Sequence, residues 1–198
     1  MYKRQDGNGA WEAVLENAYD IIVTGEINGE DTLSFKIPYR DGKRGYIDSE
    51  KKIQIVDDVY KVRTVTDTRD ADGSAVTEVY AEAEFYDLTF SVRKEERTFE
   101  AEYPETAMAY ALEGTEWSVG TVTVRTKRTW TSTEKNALSI LRNTADLHGG
   151  DLVFDCPNRL VHLLTVNGRD SGALFAYRKN MKSIQRVVDT RELVTRLY

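Results

Sequence analysis

Residues 131–164, TSTEKNALSILRNTADLHGGDLVFDCPNRLVHLL, hold a helix, its stop and a hairpin in one unbroken run. Thr131 followed by Glu134 has the spacing of a capping box, in which the hydroxyl accepts a backbone N–H and the glutamate reaches back, so the helix is expected to start there. At 100° per residue Ala137, Leu138, Ile140, Leu141, Ala145 and Leu147 share one half of the cylinder, with Lys135, Ser139, Arg142 and Asp146 on the other. Such a helix lies on something apolar. Gly149 and Gly150 supply the positive-φ stop that residues with a β-carbon resist. Beyond them Leu152, Phe154 and Cys156 alternate with Asp151, Val153 and Asp155. Pro157 and Asn158 form a turn, and Leu160 to Leu164 return as a second strand.

Upstream the period is that of strands. Tyr2 to Leu15 is ambiguous, since Trp11, Val14 and Leu15 would also suit one helical turn; a strand is expected. Ile21, Ile22 and Val23 lead to Asn28-Gly29, after which Leu33, Phe35 and Ile37 alternate with Thr32, Ser34 and Lys36 until Pro38 ends the run. A polar loop covers Tyr39 to Lys52. Ile53 and Ile55, an Asp57-Asp58 turn and Val59 to Val65 make a second hairpin, and Asp67 to Gly73 a charged tip. Val79, Ala81, Ala83 and Phe85 then alternate with Glu78, Tyr80, Glu82 and Glu84 as a strand with an acidic face. The charge run Arg93 to Arg97 marks a domain junction, and Pro104 opens a helix of about ten residues carrying Ala107, Met108, Ala111 and Leu112 and stopped by Gly114. Trp117 to Val124 is a strand, and after Asn167-Gly168 two more are expected at Leu174–Tyr177 and Ile184–Val188. The fold class is α+β, a mostly antiparallel, barrel-like β domain interrupted by a smaller unit of two helices plus strands.

A chain of 198 residues, 40% hydrophobic, can bury a real core. No apolar run reaches membrane-spanning length and the N-terminus lacks a signal-peptide core, so a soluble protein without a membrane anchor is expected. A net charge of −6 disfavours nonspecific adhesion to nucleic acid. One cysteine, Cys156, and two histidines, His148 and His162, leave no disulfide framework and no zinc set. Cys156 reads as a small core hydrophobe and the histidines as structural, His148 well placed as an imidazolium at a helix C-terminus. No phosphate loop, dinucleotide fingerprint or metalloprotease motif appears, so no enzyme, cofactor or metal is expected. Glu78, Glu82, Glu84, Glu100 and Glu102 show no paired-carboxylate geometry at sequence level. Tyr46, Tyr60, Tyr80 and Tyr86 would serve a sugar-binding platform or, equally, half-buried sheet and protein interfaces.

The helix with its NALSIL core, the Gly-Gly stop and the GDLVFD strand resemble the N-terminal part of the tail-associated hub proteins of tailed phages, a family also called phage minor structural protein or prophage endopeptidase tail protein. Tyr19 to Pro38 resembles that family's opening hairpin, and Ala111 to Val122 the segment leading into its second domain. The resemblance implies a β-rich ring domain, residues 1–86 with 176–198, interrupted by an α+β domain over 87–175, in a chain expected to be truncated before further domains. It implies a homotrimer whose ring-type domains form a pseudo-sixfold annulus at the end of the tail tube. The expected partners are distal tail and other tail-tip proteins. The resemblance implies a location at the virion tail tip, after synthesis in the bacterial host cytoplasm. Cell-wall-degrading modules, which some members carry, are expected beyond residue 198, and a carbohydrate-binding role in host recognition is the other reading. DNA would pass through the channel without specific binding. The acidic strand, Glu78, Glu82 and Glu84, with Asp67, Asp70 and Asp72 in the adjoining tip, is the candidate lining, against a solvated outer face.

Overall fold

The computed structural model describes residues 2–5, 11–56, 58–69, 71, 73–133, 135–168 and 172. Two compact units are distinguished, Met1–Asn167 and Gly168–Tyr198, and every element below belongs to the first. The strands expected at Leu174–Tyr177 and Ile184–Val188, and the closing segment 176–198, lie outside the described residues.

β1 (Tyr2–Gln5), β2 (Trp11–Val14), β3 (Tyr19–Gly25), β4 (Asp31–Pro38), β5 (Lys52–Ile55), β6 (Asp58–Arg69) and β7 (Ala75–Ala83) form one antiparallel sheet in the order β2-β1-β5-β6-β7-β4-β3. The opening residues are therefore strand. Sheet order places β2 and β3 at opposite edges, yet only Leu15 to Ala18 separate them in sequence. Laid flat, the strands would put those edges about 29 Å apart, whereas so short a link reaches about 17 Å at most. The sheet must curl, and it forms a half-barrel. Ile21 of β3 accordingly meets Leu15, Phe35, Ile53 and Ile55 around a small interior void. Leu33, Ile37, Val62 and Ala81 fill the rest of the interior, each fully buried. Arg44 plugs one end: its guanidinium pairs with Asp67 and donates to the hydroxyl of fully buried Thr77. Asp67 accepts from both, which holds its carboxyl below the usual range; it lies in β6, not in the tip, and stays exposed while bonded into the plug.

After a 3-10 turn over Glu84–Phe90 come β8 (Val92–Arg93), β9 (Arg97–Glu102), α1 (Pro104–Leu112), β10 (Ser118–Val122), β11 (Arg128–Ser132), β12 (Lys135–Asn136), α2 (Ala137–His148), β13 (Asp151–Asp155) and β14 (Leu160–Leu164). The two helices pack on each other, with a three-stranded sheet β10-β14-β13 and a β9–β11 ribbon around them. α1 buries Ala107, Met108, Ala111 and Leu112 as its stripe requires. α2 buries Ala137, Leu138, Ile140, Leu141 and Ala145, but Leu147 stays 39% exposed and His148 goes in instead. Its start also differs from the sequence reading. Thr131 lies in β11, paired with Thr98 of β9 backbone to backbone and hydroxyl to hydroxyl, ahead of the helix start at Ala137, and Glu134, the other half of the expected box, lies outside the described residues. The N-cap is Asn136, whose carbonyl oxygen accepts from Ser139 N–H at 2.8 Å. Gly149 (φ 77°) and Gly150 (φ 124°) end the helix as expected, and a β-carbon on Gly150 would stand 2.8 Å from the Leu164 carbonyl oxygen.

The half-barrel and the helical half join along a seam. The β3–β4 loop reaches across to β13, where the Asn28 amide donates to Gly150 O and its oxygen accepts from Leu152 N–H. Arg142 of α2 returns a bond to Gly29 O. Phe85 stacks on Phe154 at 4.0 Å.

Asn136→Ala should cost about 1 kcal/mol in urea unfolding, whereas Thr131→Val should cost distinctly less; the reverse order would restore the capping-box reading. Asn28→Ala leaves the Leu152 N–H and Gly150 carbonyl without their partner and should cost about 2 kcal/mol, with Ile27→Ala in the same loop, 62% exposed and making neither bond, as the contrasting control. Burial holds the His148 imidazole below its ordinary value of 6.5, the Thr126 hydrogen bond opposing and the Arg128 charge reinforcing the shift. The unfolded chain therefore takes up a proton that the folded one refuses, and stability falls as pH drops through 6.5 toward the lower folded value. Urea midpoints of parent and His148→Gln between pH 7.5 and 5.5 should converge as pH falls; parallel curves would assign the slope to other groups.

Candidate functional site

The three glutamates singled out in the sequence do not share one surface. Pairing of β7 with β4 and β6 puts Glu78, Tyr80 and Glu82 on the outer face, beside Thr32, Ser34, Lys36, Lys61, Thr64 and Thr66. The strand ends at Ala83, so the alternation does not extend to Glu84, which sits in the 3-10 turn. Glu84 is 7% exposed and pairs with Lys52 of β5 and with Arg159 at the β13–β14 turn, bracing the seam. It cannot line a surface. Glu78 binds Lys36, which also reaches Asp20, and Glu82 binds Arg63. Arg63 further pairs with Glu50 and Asp87, Lys61 joins the same two carboxylates, and the guanidinium lies over the Phe90 ring. The outer face is thus hydroxyl-rich with its charges mutually paired. Asp70 and Asp72 lie outside the described residues.

Elsewhere the chemistry is structural. The Cys156 thiol is pushed up to about 11 by burial, with the Glu84 charge adding to it, the opposite of an activated nucleophile. His162 accepts the Thr121 N–H on Nδ1 and packs over Gly120, where a β-carbon would approach the ring to 2.6 Å. His148 is buried against Thr126. Among the described residues no group of three potential ligands could hold a metal ion. No helix of the described residues is long and apolar enough to cross a membrane. The tyrosines are dispersed as well: Tyr60 is 2% exposed on the inner face, Tyr80 is on the outer face, and Tyr86 is packed under Arg142. Glu100 and Glu102 belong to the separate β9–β11 ribbon.

A cleft of about 400 Å³ opens beside the seam, walled by Phe85 and Phe154, floored by Tyr60, with Glu26, Glu30, Asp31 and Asp58 at its lining and Val23 and Ile27 at its rim. The Tyr60 hydroxyl donates to Asp31 at 2.9 Å. Burial raises the Asp31 carboxyl; that hydrogen bond opposes the rise and the Asp58 charge adds to it. The sequence reading missed this cleft because its walls come from β3, β4, β6 and β13. The sequence reading also set the turn at Asp57-Asp58, whereas Asp58 already lies in β6 opposite Ile55, which moves the turn back to Val56 and brings the Asp58 carboxylate to the cleft.

Two family models match the chain. Residues 2–83 match the prophage endopeptidase tail N-terminal domain and residues 91–163 the prophage endopeptidase tail domain. No curated protein matches. Among solved structures, the fold is similar to that of prophage tail protein gp18 from Listeria monocytogenes EGD-e, at TM-score 0.73 and 14% identity over 91% of this chain and 56% of that one. It is also similar to the 43 kDa tail protein of prophage MuSo2 from Shewanella oneidensis, at 0.59 and 12% over 92% and 57%. The tail protein from Neisseria meningitidis MC58 matches at 0.55 and 12% over 87% and 52%. At these identities the likeness is one of fold, and the chain spans a little over half the length of each. With the two domain matches falling in succession along it, the chain belongs to the prophage endopeptidase tail family of phage tail proteins and carries that family's N-terminal region.

Proposed function

We propose that this virion component is the ring part of a tail-tip hub, joining the end of the tail tube to the host-facing tip as a homotrimer through which the genome passes. The observation that carries the reading is the half-barrel itself, a curled sheet with a sealed apolar interior and an outer face of hydroxyls and paired charges, in a chain from a tail-protein family. A surface that a polyanion slides past must not offer clustered unpaired cations, since each neutralised phosphate adds counterion-release affinity. Lys36, Lys61 and Arg63 on that face are all engaged by carboxylates. In this reading Glu78 and Glu82 contribute by occupying those cations, and Glu84 has no part. The endopeptidase of the family's description finds no nucleophile, base or metal set among the described residues, so we assign no peptidase to them. The carbohydrate alternative loses its platform, because Tyr60 and Tyr80 face opposite sides of the sheet.

Cryo-electron microscopy of tail particles carrying a tagged copy of the chain tests the assignment. The tag should appear at the distal end of the tail, with threefold symmetry; copies repeated along the tube, or at the head-proximal end, would sink it.

A further inference from the structure

Val56 has φ 54° and is 76% exposed. The register of β5 and β6, with Ile55 opposite Asp58, forces a two-residue turn and hence that backbone. Asparagine or glycine adopts it easily and a β-branched residue almost never does. The valine is strained, and its side chain packs little within this chain. Two further apolar side chains stand out at the same end of the half-barrel, Ile27 at 62% and Val23 at 49% exposure, both lining the cleft that Asp58 also borders. Loop tips are ordinarily polar; here two apolar side chains line the cleft and a third, Val56, stands two residues from cleft-lining Asp58, and such a group calls for a partner. The lining supplies the partner's chemistry. It includes Glu26, Glu30, Asp31 and Asp58 and, among the described residues, no lysine or arginine. Its rim continues into β3, an edge strand whose outer side has no neighbour among the described strands. An extended segment lying there would find main-chain partners too.

We propose that this cleft is a docking site for an extended segment of another protein that carries a lysine or arginine between aliphatic side chains, with the cation entering among the carboxylates and Val56, Ile27 and Val23 gripping the aliphatic flanks. Nucleic acid is excluded by the sign of the charge. A second copy of this chain offering the same acidic cleft would repel it. The inference does not depend on where in the tail the protein sits.

The probe is a synthetic octapeptide alternating leucine and lysine, with a leucine–glutamate octapeptide as control, added to the full chain and followed by methyl NMR at Val23, Ile27 and Val56. The lysine peptide should give saturable shifts at those methyls, and the glutamate peptide should bind at least about tenfold more weakly. Replacing Glu30 and Asp58 together by glutamine and asparagine should weaken the lysine peptide about fivefold or more. Val56→Asn should raise the melting temperature while also weakening the peptide, a pairing that a merely structural valine would not produce. Absence of saturable shifts, equal response to both peptides, or undiminished binding by Val56→Asn would each overturn the proposal. Shifts at these methyls on diluting the protein alone would assign the cleft to a second copy and overturn the stated occupant.

Discussion

The rest of the structure depends on a short piece of chain, Leu15 to Ala18, joining strands at opposite edges of one sheet. Because that link cannot span a flat sheet, curvature is imposed by connectivity as well as by strand twist. Curling gives the sheet a true inside, in which Leu33, Ile37, Val62 and Ala81 reach zero exposure. It also creates an open end. Arg44, reaching Asp67 and Thr77, closes that end with charge-assisted hydrogen bonds. Lys43 anchors the same loop to the end of β2, through the Val14 carbonyl, and to the link, through Glu16.

The second dependence is the seam. β13 is an edge strand, and its Leu152 N–H and the neighbouring Gly150 carbonyl would otherwise face water or another chain. Asn28 supplies one donor and one acceptor to them, so a side-chain amide does locally what a further strand would do. Glu84, itself buried, adds an ion triad with the partly exposed Lys52 and Arg159, and Arg159 also lies over the Trp117 ring, its backbone at φ 55°. A buried carboxylate so paired adds little net stability but makes misalignment costly, because shifting either half leaves Glu84 buried without its cations. The two matched domains thus fall within a single compact unit.

Features set by neighbours in sequence were legible from sequence: the periodicity of α2, the Gly149-Gly150 stop, the β13–β14 hairpin and the stripe of α1 all follow from spacing and backbone preference. The capping box failed for a reason of range. Thr131 was claimed by Thr98, in a strand that no local rule could place beside it. Glu84 failed for a related one, since alternation continues through Phe85 while the backbone has already turned into 3-10 geometry. Asn28 was read as a turn residue, which its φ of 59° bears out, yet its larger role lies 122 residues away at Gly150. His148 shows competition between principles: a helix C-terminus favours the imidazolium, and burial, which disfavours it more, wins.

The acidic strand deserves the same arithmetic of range. Counted along β7 alone, Glu78 and Glu82 suggest a field strong enough to repel phosphate. Counted across the sheet, Lys36 of β4 and Lys61 and Arg63 of β6 bring cations against them, and Glu50 and Asp87 complete the network from outside the strands. Paired charges a few ångströms apart cancel beyond about one Debye length, roughly 8 Å at physiological salt. What a passing polymer meets is then the remaining surface, Ser34, Thr64, Thr66 and Tyr80, which is uncharged at neutral pH and well hydrated. Low adhesion on such a face comes from withholding cations, and it would survive the loss of any one glutamate better than the loss of the pairing that keeps Arg63 occupied.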